Sequence, residues 1–347
     1  MTEEFVPKRV FFEPKALEYP LGKTLVESFR ALQIPVTPTS SHNRVTGIPG
    51  NNPAQAYREA KGTLVIGVRR SEKFQTCKPS AHYQLPLVTS CPGMCEYCYL
   101  ATTLGKKPYV RVYVNIEEIL EIASKLIGER SPEITYFEGA ATSDPIPVER
   151  YTGALKKTIN YFGRERYGRF RFVTKFTDVD SLLSASHEGH TRFRFSLNCD
   201  YVVNRFEHLT PSPEKRIVAS GKVLNAGYPL GFIFAPIFRF PGWEAEYQHL
   251  LERTAEELTR LAPQGWSSEQ LTLEFISHRY TLKAKANIQE IFPNSLLPMV
   301  EEDRKFKYGQ FGYGKYIYPP EELEELKEFF AEQVKTYFSL AKVEYFI

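Results

Sequence analysis

The chain has 347 residues, of which 42% are hydrophobic and 24% charged, so it can form one large globular domain or two. Its N-terminus is acidic and no apolar stretch follows, so we expect no secretory signal peptide, and no apolar run is long enough to cross a bilayer. The net charge of +3 is small for a nucleic-acid-binding protein, so any nucleic-acid-binding surface would need its positive charges concentrated in one region. We therefore expect a cytoplasmic protein with no membrane contact.

Residues 1–80 are predicted to form an N-terminal extension that packs on the core. Apolar residues at helical spacing predict a helix over 24–32. Pro, Ser, Asn and Gly dominate 37–53, which predicts a loop, and a continuous apolar run predicts a buried strand over 63–68. Cys77 is the residue of chemical interest in this part of the chain.

Strand and helix patterns alternate over residues 81–298, which predicts parallel βαβ units. Helical patterns separate most of these strands, including one over 152–162, one over 179–186 and a long amphipathic one over 243–261. Six such units would form a partial barrel, and function in barrels of this kind lies at the carboxyl ends of the strands. The predicted strands are 83–88, 134–138, 170–176, 191–197, 229–237 and 271–276.

Residues 299–347 are predicted to form a glycine-rich hairpin, an acidic helix over 321–338 and a last strand over 343–346. The hairpin mixes cations and rings, a composition that suits phosphate contact and base stacking. We expect it to contact nucleic acid through Arg304, Lys305, Lys307 and Tyr308. A glycine-rich surface turn beside an aromatic edge would show the same composition.

The loop after the first barrel strand holds three of the five cysteines, Cys91, Cys95 and Cys98. Three thiolates at this spacing can bind three irons of a [4Fe-4S] cluster and leave the fourth iron open to a small molecule. A structural zinc site is an alternative, but it normally takes four ligands in two pairs, and the second pair would have to come from Cys77, Cys199 or a distant histidine. A disulfide with a spare thiol is less compatible with a chain this poor in cysteine.

The cysteine spacing resembles the radical S-adenosylmethionine (radical SAM) superfamily, in which the open iron binds SAM through its amino and carboxylate groups. Tyr97, one residue before the last cysteine, also fits that pattern. Beyond the superfamily, the chain resembles the spore photoproduct lyase family of the Bacillus type over nearly its whole length. The matching segments are 5–7, 17–22, 41–43, 63–69, the cysteine loop, 171–176, 191–196, 227–233 and 314–318.

The resemblance implies an α/β fold: a partial (β/α)6 TIM-like radical SAM barrel with an N-terminal extension and a C-terminal β-hairpin plus helix. It also implies a lyase that reverts the methylene-bridged thymine dimer of UV-damaged DNA to two thymines. In that reaction a SAM-derived 5′-deoxyadenosyl radical removes the C6 hydrogen of the lesion, the bridge breaks by β-scission, and a thiol returns a hydrogen atom. The implied partners are damaged DNA and an electron donor of the flavodoxin or ferredoxin type, and the implied state is a monomer in the spore core.

Several polar or small residues near strand ends match the family as SAM contacts. Lys175 could pair with the SAM carboxylate as a point charge. Taken singly, each polar residue could equally satisfy a loop hydrogen bond. The residues that the resemblance implies are Tyr99, Ser143, Lys175, Ser196, Asn198 and Ala235.

The chain departs from the family pattern at the hydrogen donor, because Ala141 stands where the family carries a cysteine. A methyl C–H bond is much stronger than an S–H bond, so alanine cannot quench the allylic radical. Some family members carry a cysteine in the segment of Cys77, and we interpret Cys77 as an introduced thiol in a donor variant with impaired final hydrogen transfer. Tyr97 and Tyr99 are candidates to relay the radical. Cys77 could also be a plain small side chain, and Cys199 is interpreted as a buried spectator.

Two other functions remain open from the sequence. The first is another radical SAM enzyme that acts on RNA or a peptide. The second is a non-catalytic Fe-S or zinc protein that binds nucleic acid. Iron and sulfide content and 5′-deoxyadenosine formation would separate both enzymes from the binding protein, and a lesion substrate would separate the two enzymes.

Overall fold

The computed structural model describes residues 4–308 and 314–347. The strands are β1 (Arg9–Phe12), β2 (Val36–Pro38), β3 (Thr63–Gly67), β4 (Thr76–Cys77), β5 (Ala81–Gln84), β6 (Val88–Thr89), β7 (Met94–Cys95), β8 (Val110–Tyr113), β9 (Thr135–Glu138), β10 (Gly168–Thr174), β11 (Thr191–Leu197), β12 (Glu207–His208), β13 (Leu230–Ile237), β14 (Leu271–Ser277), β15 (Lys305–Tyr308), β16 (Gly314–Ile317) and β17 (Lys342–Phe346). The α-helices are α1 (Pro20–Ala31), α2 (Pro53–Lys61), α3 (Leu100–Thr103), α4 (Ile116–Arg130), α5 (Ile146–Thr152), α6 (Ala154–Arg164), α7 (Asp200–Phe206), α8 (Pro213–Asn225), α9 (Trp243–Leu261), α10 (Leu282–Ile291) and α11 (Pro320–Tyr337). Three short 3-10 helices cover Pro14–Glu18, Asp180–Leu182 and Ser268–Gln270.

The larger sheet is the partial barrel. Its order is β17-β14-β13-β11-β10-β9-β5-β4, and every neighbouring pair is parallel except β4 with β5. Five of the six predicted barrel strands are therefore confirmed, as β9, β10, β11, β13 and β14, and β17 adds a parallel strand at one edge. The first predicted strand, 83–88, is displaced: the barrel strand is β5 (Ala81–Gln84), and Val88 belongs to β6 in the other sheet. Because all these strands run in the same direction apart from β4, their carboxyl ends meet at one rim of the barrel.

The N-terminal residues form a second sheet with the order β2-β1-β3-β8-β6. Its central strand β3 is buried at every residue, as its continuous apolar run predicts. Two of its strands, β6 and β8, follow residue 80 in the chain, so this sheet draws on both sides of the predicted domain boundary. Strand β8 was not predicted, because Val110–Tyr113 is too short to show a clear period.

Two predicted helices differ from the observed ones, and helices α2, α7 and α10 lie where no helix was predicted. The predicted helix over 152–162 is divided into α5 and α6 by Gly153, which adopts the left-handed conformation with φ of 59°. The predicted helix over 179–186 is one 3-10 turn over Asp180–Leu182. In the described residues, no helix is both long and apolar enough to span a membrane.

Candidate active site

The cysteine loop is fixed to the barrel rim by backbone contacts on both sides. Its short strand β7 pairs with β12, which places Cys95 opposite Glu207. Just before the loop, the Ser90 N–H donates to the Thr142 carbonyl at 2.8 Å, and its hydroxyl donates to the Pro108 carbonyl at 2.7 Å. These contacts join the loop to the exit of β9 and to the segment that enters β8.

The three thiols of this loop are close enough to influence one another. Burial raises the pKa of Cys95 first, and the thiols of Cys98 and Cys91 raise it further. Burial also raises the pKa of Cys91 to about 11, while the nearby Lys61 ammonium opposes that shift. The Tyr57 hydroxyl is buried beside the same group, and all three thiols raise its pKa after burial does. The thiols therefore share one small region of the rim.

Two features of this region fit a cluster rather than a packed core. Lys61 is only 2% exposed, and its ammonium donates to the Cys91 carbonyl at 2.9 Å, so a buried positive charge lies beside the thiols. Glycine at 93 keeps a side chain away from the thiols, because a Cβ there would crowd Thr210 Cγ2 at 3.1 Å and lie 3.7 Å from Cys91 Sγ. Within the described ranges, no three His, Cys, Asp or Glu side chains are arranged to hold a single metal ion.

A buried ionic network lies next to the thiols. Lys175 Nζ donates to Ser196 Oγ at 2.7 Å and to Glu207 Oε1 at 3.1 Å. Arg216, which is fully buried, donates to Glu207 Oε2 at 2.6 Å, and the Tyr97 hydroxyl donates to Glu207 Oε1 at 2.5 Å. Burial alone would raise the pKa of Glu207, but Arg216 and Lys175 outweigh it and lower the pKa to about 2. The Lys175 ammonium is thus held at the rim between a hydroxyl and a carboxylate.

The other predicted SAM contacts lie at the same rim. Asn198 is buried, and its amide is occupied: Nδ2 donates to the Pro236 carbonyl at 2.7 Å, and Oδ1 accepts from the Tyr247 hydroxyl at 2.9 Å. Ser143 lies in the exit of β9 and forms a parallel bridge with Ser90. Ala235 precedes Pro236 near the end of β13. Asn198 therefore shapes the wall of the site, while Lys175 and Ser196 present polar groups.

Cys77, Tyr99 and Ala141 form a second group at the rim, although they come from three separate segments. The Tyr99 hydroxyl donates to the Ala141 carbonyl. Although Tyr99 is 52% exposed overall, desolvation around its hydroxyl raises its pKa, and the thiols of Cys98 and Cys77 raise it further, so the hydroxyl lies near both cysteines. Burial, with a smaller effect of the Glu138 carboxylate, raises the pKa of Cys77 to about 12. The Cys77 thiol therefore keeps its hydrogen at neutral pH.

Glu138 links the segments that carry Cys77 and Ala141. Its carboxylate accepts from the Ser80 hydroxyl at 2.8 Å and from the Ala140 N–H at 3.1 Å. Arg194, which is 2% exposed, donates to the same carboxylate and to both oxygens of Glu274, at 2.9 and 2.8 Å. This buried network connects β9, β11 and β14 beneath the rim.

Sequence reasoning missed several residues that complete the site. A charged residue inside an otherwise apolar strand is a signal that could have identified Arg194 and Glu274, because an unpaired buried charge is costly. No local signal marks Glu207 or Lys61, whose partners are distant in the chain. The residues missed are Lys61, Glu138, Arg194, Glu207, Arg216 and Glu274. Cys199 is buried and its pKa is raised to about 12 by burial, in keeping with a spectator thiol.

The predicted DNA-contacting residues lie on and beside the β15–β16 hairpin. Lys305 and Lys307 are exposed on β15, and the Tyr308 side chain is 75% exposed. Arg304 differs, because its guanidinium lies 3.7 Å from the Tyr318 ring centre and donates to the carbonyls of His278 and Pro298 at 3.0 and 3.1 Å. Arg304 thus fixes the base of the hairpin. The glycine-rich part of the predicted hairpin at 309–313 lies outside the described residues.

Comparison with known proteins decides the family. The spore photoproduct lyase family matches residues 5–347. The chain is 50% identical to the spore photoproduct lyase of Bacillus subtilis (strain 168) over 346 residues, which cover 100% of both chains. It is also 50% identical to that of Clostridium acetobutylicum over 340 residues, which cover 98% of both chains. The chain belongs to the spore photoproduct lyase family.

Solved structures of this family superpose closely on the chain. A spore photoproduct lyase complexed with dinucleoside spore photoproduct has 50% identity and a TM-score of 0.95, with 99% of each chain covered. A double variant with bound S-adenosylmethionine and the same dinucleoside has 51% identity and a TM-score of 0.95, again with 99% of each chain covered. In that variant a cysteine is replaced by alanine and a serine by cysteine, and the two positions have the same separation as Ala141 and Cys77 here. The family match confirms the predicted radical SAM fold.

Proposed function

We propose that this lyase repairs DNA by reverting the spore photoproduct, a methylene-bridged thymine dimer, to two thymines. The observation that carries the proposal is the convergence of three thiols at the barrel rim beside Lys175 and Ser196. Relatives of the same family, 50% identical over the whole chain, support the same substrate, since one of them was solved with the dinucleoside lesion. Neither RNA nor a peptide as substrate has comparable support.

The residues at the rim fit a [4Fe-4S] cluster and SAM. Cys91, Cys95 and Cys98 would hold the cluster, and the buried Lys61 ammonium would offset part of the negative charge of their thiolates. When bound, the cluster and SAM supply the one-electron chemistry that removes the C6 hydrogen of the lesion. The protein's own contribution is to bind, to orient and to exclude water and stray hydrogen donors.

Lys175 is placed to bind the carboxylate of SAM. Its ammonium already contacts Ser196 Oγ and Glu207 Oε1, so its position is set before a ligand arrives. The Glu207 carboxylate is in turn held by Arg216 and by the Tyr97 hydroxyl. This preorganisation lowers the entropic cost of binding a small anionic group. Tyr99, Ser143, Asn198 and Ala235 complete the wall of the proposed SAM pocket.

The Cys77 thiol is our candidate for the final hydrogen donor in place of residue 141. After β-scission, an allylic carbon radical on one thymine needs a hydrogen atom, and the S–H bond of Cys77 supplies it and leaves a thiyl radical. The raised pKa of Cys77 supports this role, because a thiolate has no hydrogen to give. Tyr99, close to both Cys77 and Cys98, is the candidate to return the radical toward the SAM site.

The proposal is tested by one set of anaerobic measurements. Reconstituted protein is analysed for iron and sulfide, then reduced with dithionite in the presence of SAM and the dinucleoside lesion. We expect about four irons and four sulfides per chain, 5′-deoxyadenosine, and thymine product. Metal content without 5′-deoxyadenosine would instead favour a non-catalytic metal protein, and 5′-deoxyadenosine without lesion repair would favour another substrate.

We also infer the partners and setting that the family resemblance implies. These are a one-electron protein reductant of the flavodoxin or ferredoxin type, a monomeric enzyme and a location in the spore core. Size-exclusion chromatography with light scattering tests the oligomeric state, and reconstitution with purified flavodoxin tests the reductant.

Replacing Tyr99 by phenylalanine tests the proposed relay. The ring stays but the hydroxyl that donates to the Ala141 carbonyl is lost. We expect turnover of the dinucleoside lesion to fall by about tenfold, while iron content and SAM affinity stay within about twofold of the parent. Tyr97→Phe is the comparison, since its hydroxyl contacts Glu207 at the proposed SAM side. A Tyr99→Phe variant with parent turnover would exclude the relay.

The hairpin is tested by the double change Lys305→Ala plus Lys307→Ala. Both cations are exposed, so their loss should leave the fold intact. If each contacts one phosphate, the slope of log affinity for lesion-containing duplex against log salt should become shallower by about 2. SAM cleavage without DNA serves as the control and should not change. Unaltered duplex affinity and salt slope would show that the hairpin is not part of the DNA interface.

A further inference from the structure

We propose that a basic cleft beside the cysteine loop binds backbone phosphates of the DNA strand that flanks the lesion. This inference deepens the proposed function and rests on it. The cleft has a volume of about 320 Å³, and its lining includes four cations and no acidic side chain. The cations are Arg44, Lys106, Lys107 and Arg111.

Among the residues that the structure describes, Lys106 is the only cation of the basic cleft with a carboxylate partner. Lys107 Nζ donates to the Ile48 carbonyl at 3.0 Å, and Arg111 donates to Asn43 Oδ1 at 3.1 Å and to the Tyr109 hydroxyl at 3.4 Å. All of these acceptors are neutral, so they position the cations without cancelling their charge. Lys106 is paired with Glu290, and Arg44 is exposed. A concave site lined by charge of one sign concentrates its field on an anion.

The basic cleft is adjacent to the site of reaction. Thr89 is part of its lining and lies just before Ser90 and Cys91 in the chain. Its other wall, residues 104–109, directly follows the short helix α3 that begins after Tyr99. The Ser90 hydroxyl donates to the carbonyl of Pro108, another lining residue, at 2.7 Å. A DNA strand whose lesion lies at the barrel rim would thus pass close to this cleft.

The basic cleft and the hairpin flank the same group of loops. Helix α10 joins them, because Asn287 on α10 donates to the Ala101 carbonyl at 3.2 Å and Glu290 pairs with Lys106. The chain then runs from α10 to the hairpin residues Lys305 and Lys307. Since the net charge is only +3, DNA affinity has to come from local cation groups such as these two. Phosphate contacts on both sides of the lesion would set the register of the strand.

The experiment compares two substrates, the lesion dinucleoside and the same lesion in a duplex. The test variant is Arg44→Ala/Lys106→Ala/Lys107→Ala, in which all three side chains are exposed. The matched control is Lys125→Ala/Lys222→Ala/Lys335→Ala, which makes the same charge change on the exposed faces of α4, α8 and α11. We expect the test variant to bind the duplex at least about tenfold more weakly, with a salt slope shallower by about 2 to 3. Dinucleoside turnover should equal that of the parent.

The other possible results of this experiment lead to different conclusions. Parent-like duplex affinity and salt slope in the test variant would overturn the proposal, as would an equal loss in the control variant. Slower reduction by flavodoxin with unchanged duplex affinity would also overturn it and assign the cleft to an acidic protein partner. If the parent itself fails to turn over the dinucleoside, the proposed function is wrong. The duplex affinities of the parent and the test variant would still show whether the cleft binds DNA.

Discussion

Replacing Cys77 by alanine should uncouple SAM consumption from repair. The variant retains Cys91, Cys95 and Cys98, so it should still form 5′-deoxyadenosine and break the methylene bridge. Without the Cys77 thiol, the allylic radical loses its proposed S–H donor, and Ala141 cannot replace it because Ala141 offers only strong C–H bonds. We expect thymine product per 5′-deoxyadenosine to fall at least about tenfold, equivalent to about 1.4 kcal/mol, with adducts appearing in its place. Product analysis by mass spectrometry measures this ratio.

The double variant Cys77→Ala/Ala141→Cys is the matched control. It moves the thiol to the position where the family carries its donor, and the Tyr99 hydroxyl already contacts the backbone of residue 141. We expect coupling to return to at least the parent value. In D2O the exchangeable thiol should deliver deuterium to the product in both the parent and the double variant. Clean coupling in Cys77→Ala alone would contradict the assignment of Cys77 as donor.

Placement of the Cys77 thiol should depend on Ser80. Its hydroxyl donates to Glu138, which also binds the Ala140 N–H and Arg194. Ser80→Ala removes this one bond without leaving a buried charge unpaired. We expect lower coupling and lower deuterium incorporation from D2O, by about threefold, with unchanged iron content. Loss of iron together with coupling would instead indicate a general structural defect.

Glu207→Gln should be the most destabilising single change in the proposed SAM pocket. The carboxylate is buried and pairs with Arg216 and Lys175, and the amide would leave both cations without a counter-charge. Breaking a buried ion pair in this way costs about 3–5 kcal/mol. SAM affinity should fall as well, because Lys175 loses the partner that positions it. Urea denaturation and equilibrium SAM binding measure the two effects, and Glu96→Gln, also beside the cysteines, serves as the comparison.

The stabilisation of the fold by Glu207 should decrease as the pH falls. Its pKa is about 2 in the folded protein and near the ordinary value of 4.5 when unfolded, so the folded state binds the proton less readily. The stabilisation is therefore full above about pH 5 and is lost as pH falls toward about 2, and it amounts to about 3 kcal/mol. The stability difference between parent and Glu207→Gln should shrink over this range. A difference that does not change with pH would show that Glu207 is not ionised in the fold.

Local patterns were sufficient for the barrel and the cysteine loop. Strands β9, β10, β11, β13 and β14 each show a short apolar run between helical segments. Such a pattern of apolar residues can be read from neighbouring residues alone, so it predicts the strand without knowledge of the fold. The same reasoning failed for β8, which is short, and for the segment from 152 to 162, where Gly153 introduces a break that a period of apolar residues does not reveal.

By itself the sequence determined the fold class, the three thiols of the cysteine loop and the family. Only the tertiary structure decided which polar residues meet there: Tyr97 with Glu207, Lys61 with Cys91, and Cys77 near Tyr99. The physical reason is that thiol spacing within one loop is set by local chain geometry. Contacts between residues far apart in the chain depend instead on which strands become neighbours and in what register, and no local period records that choice.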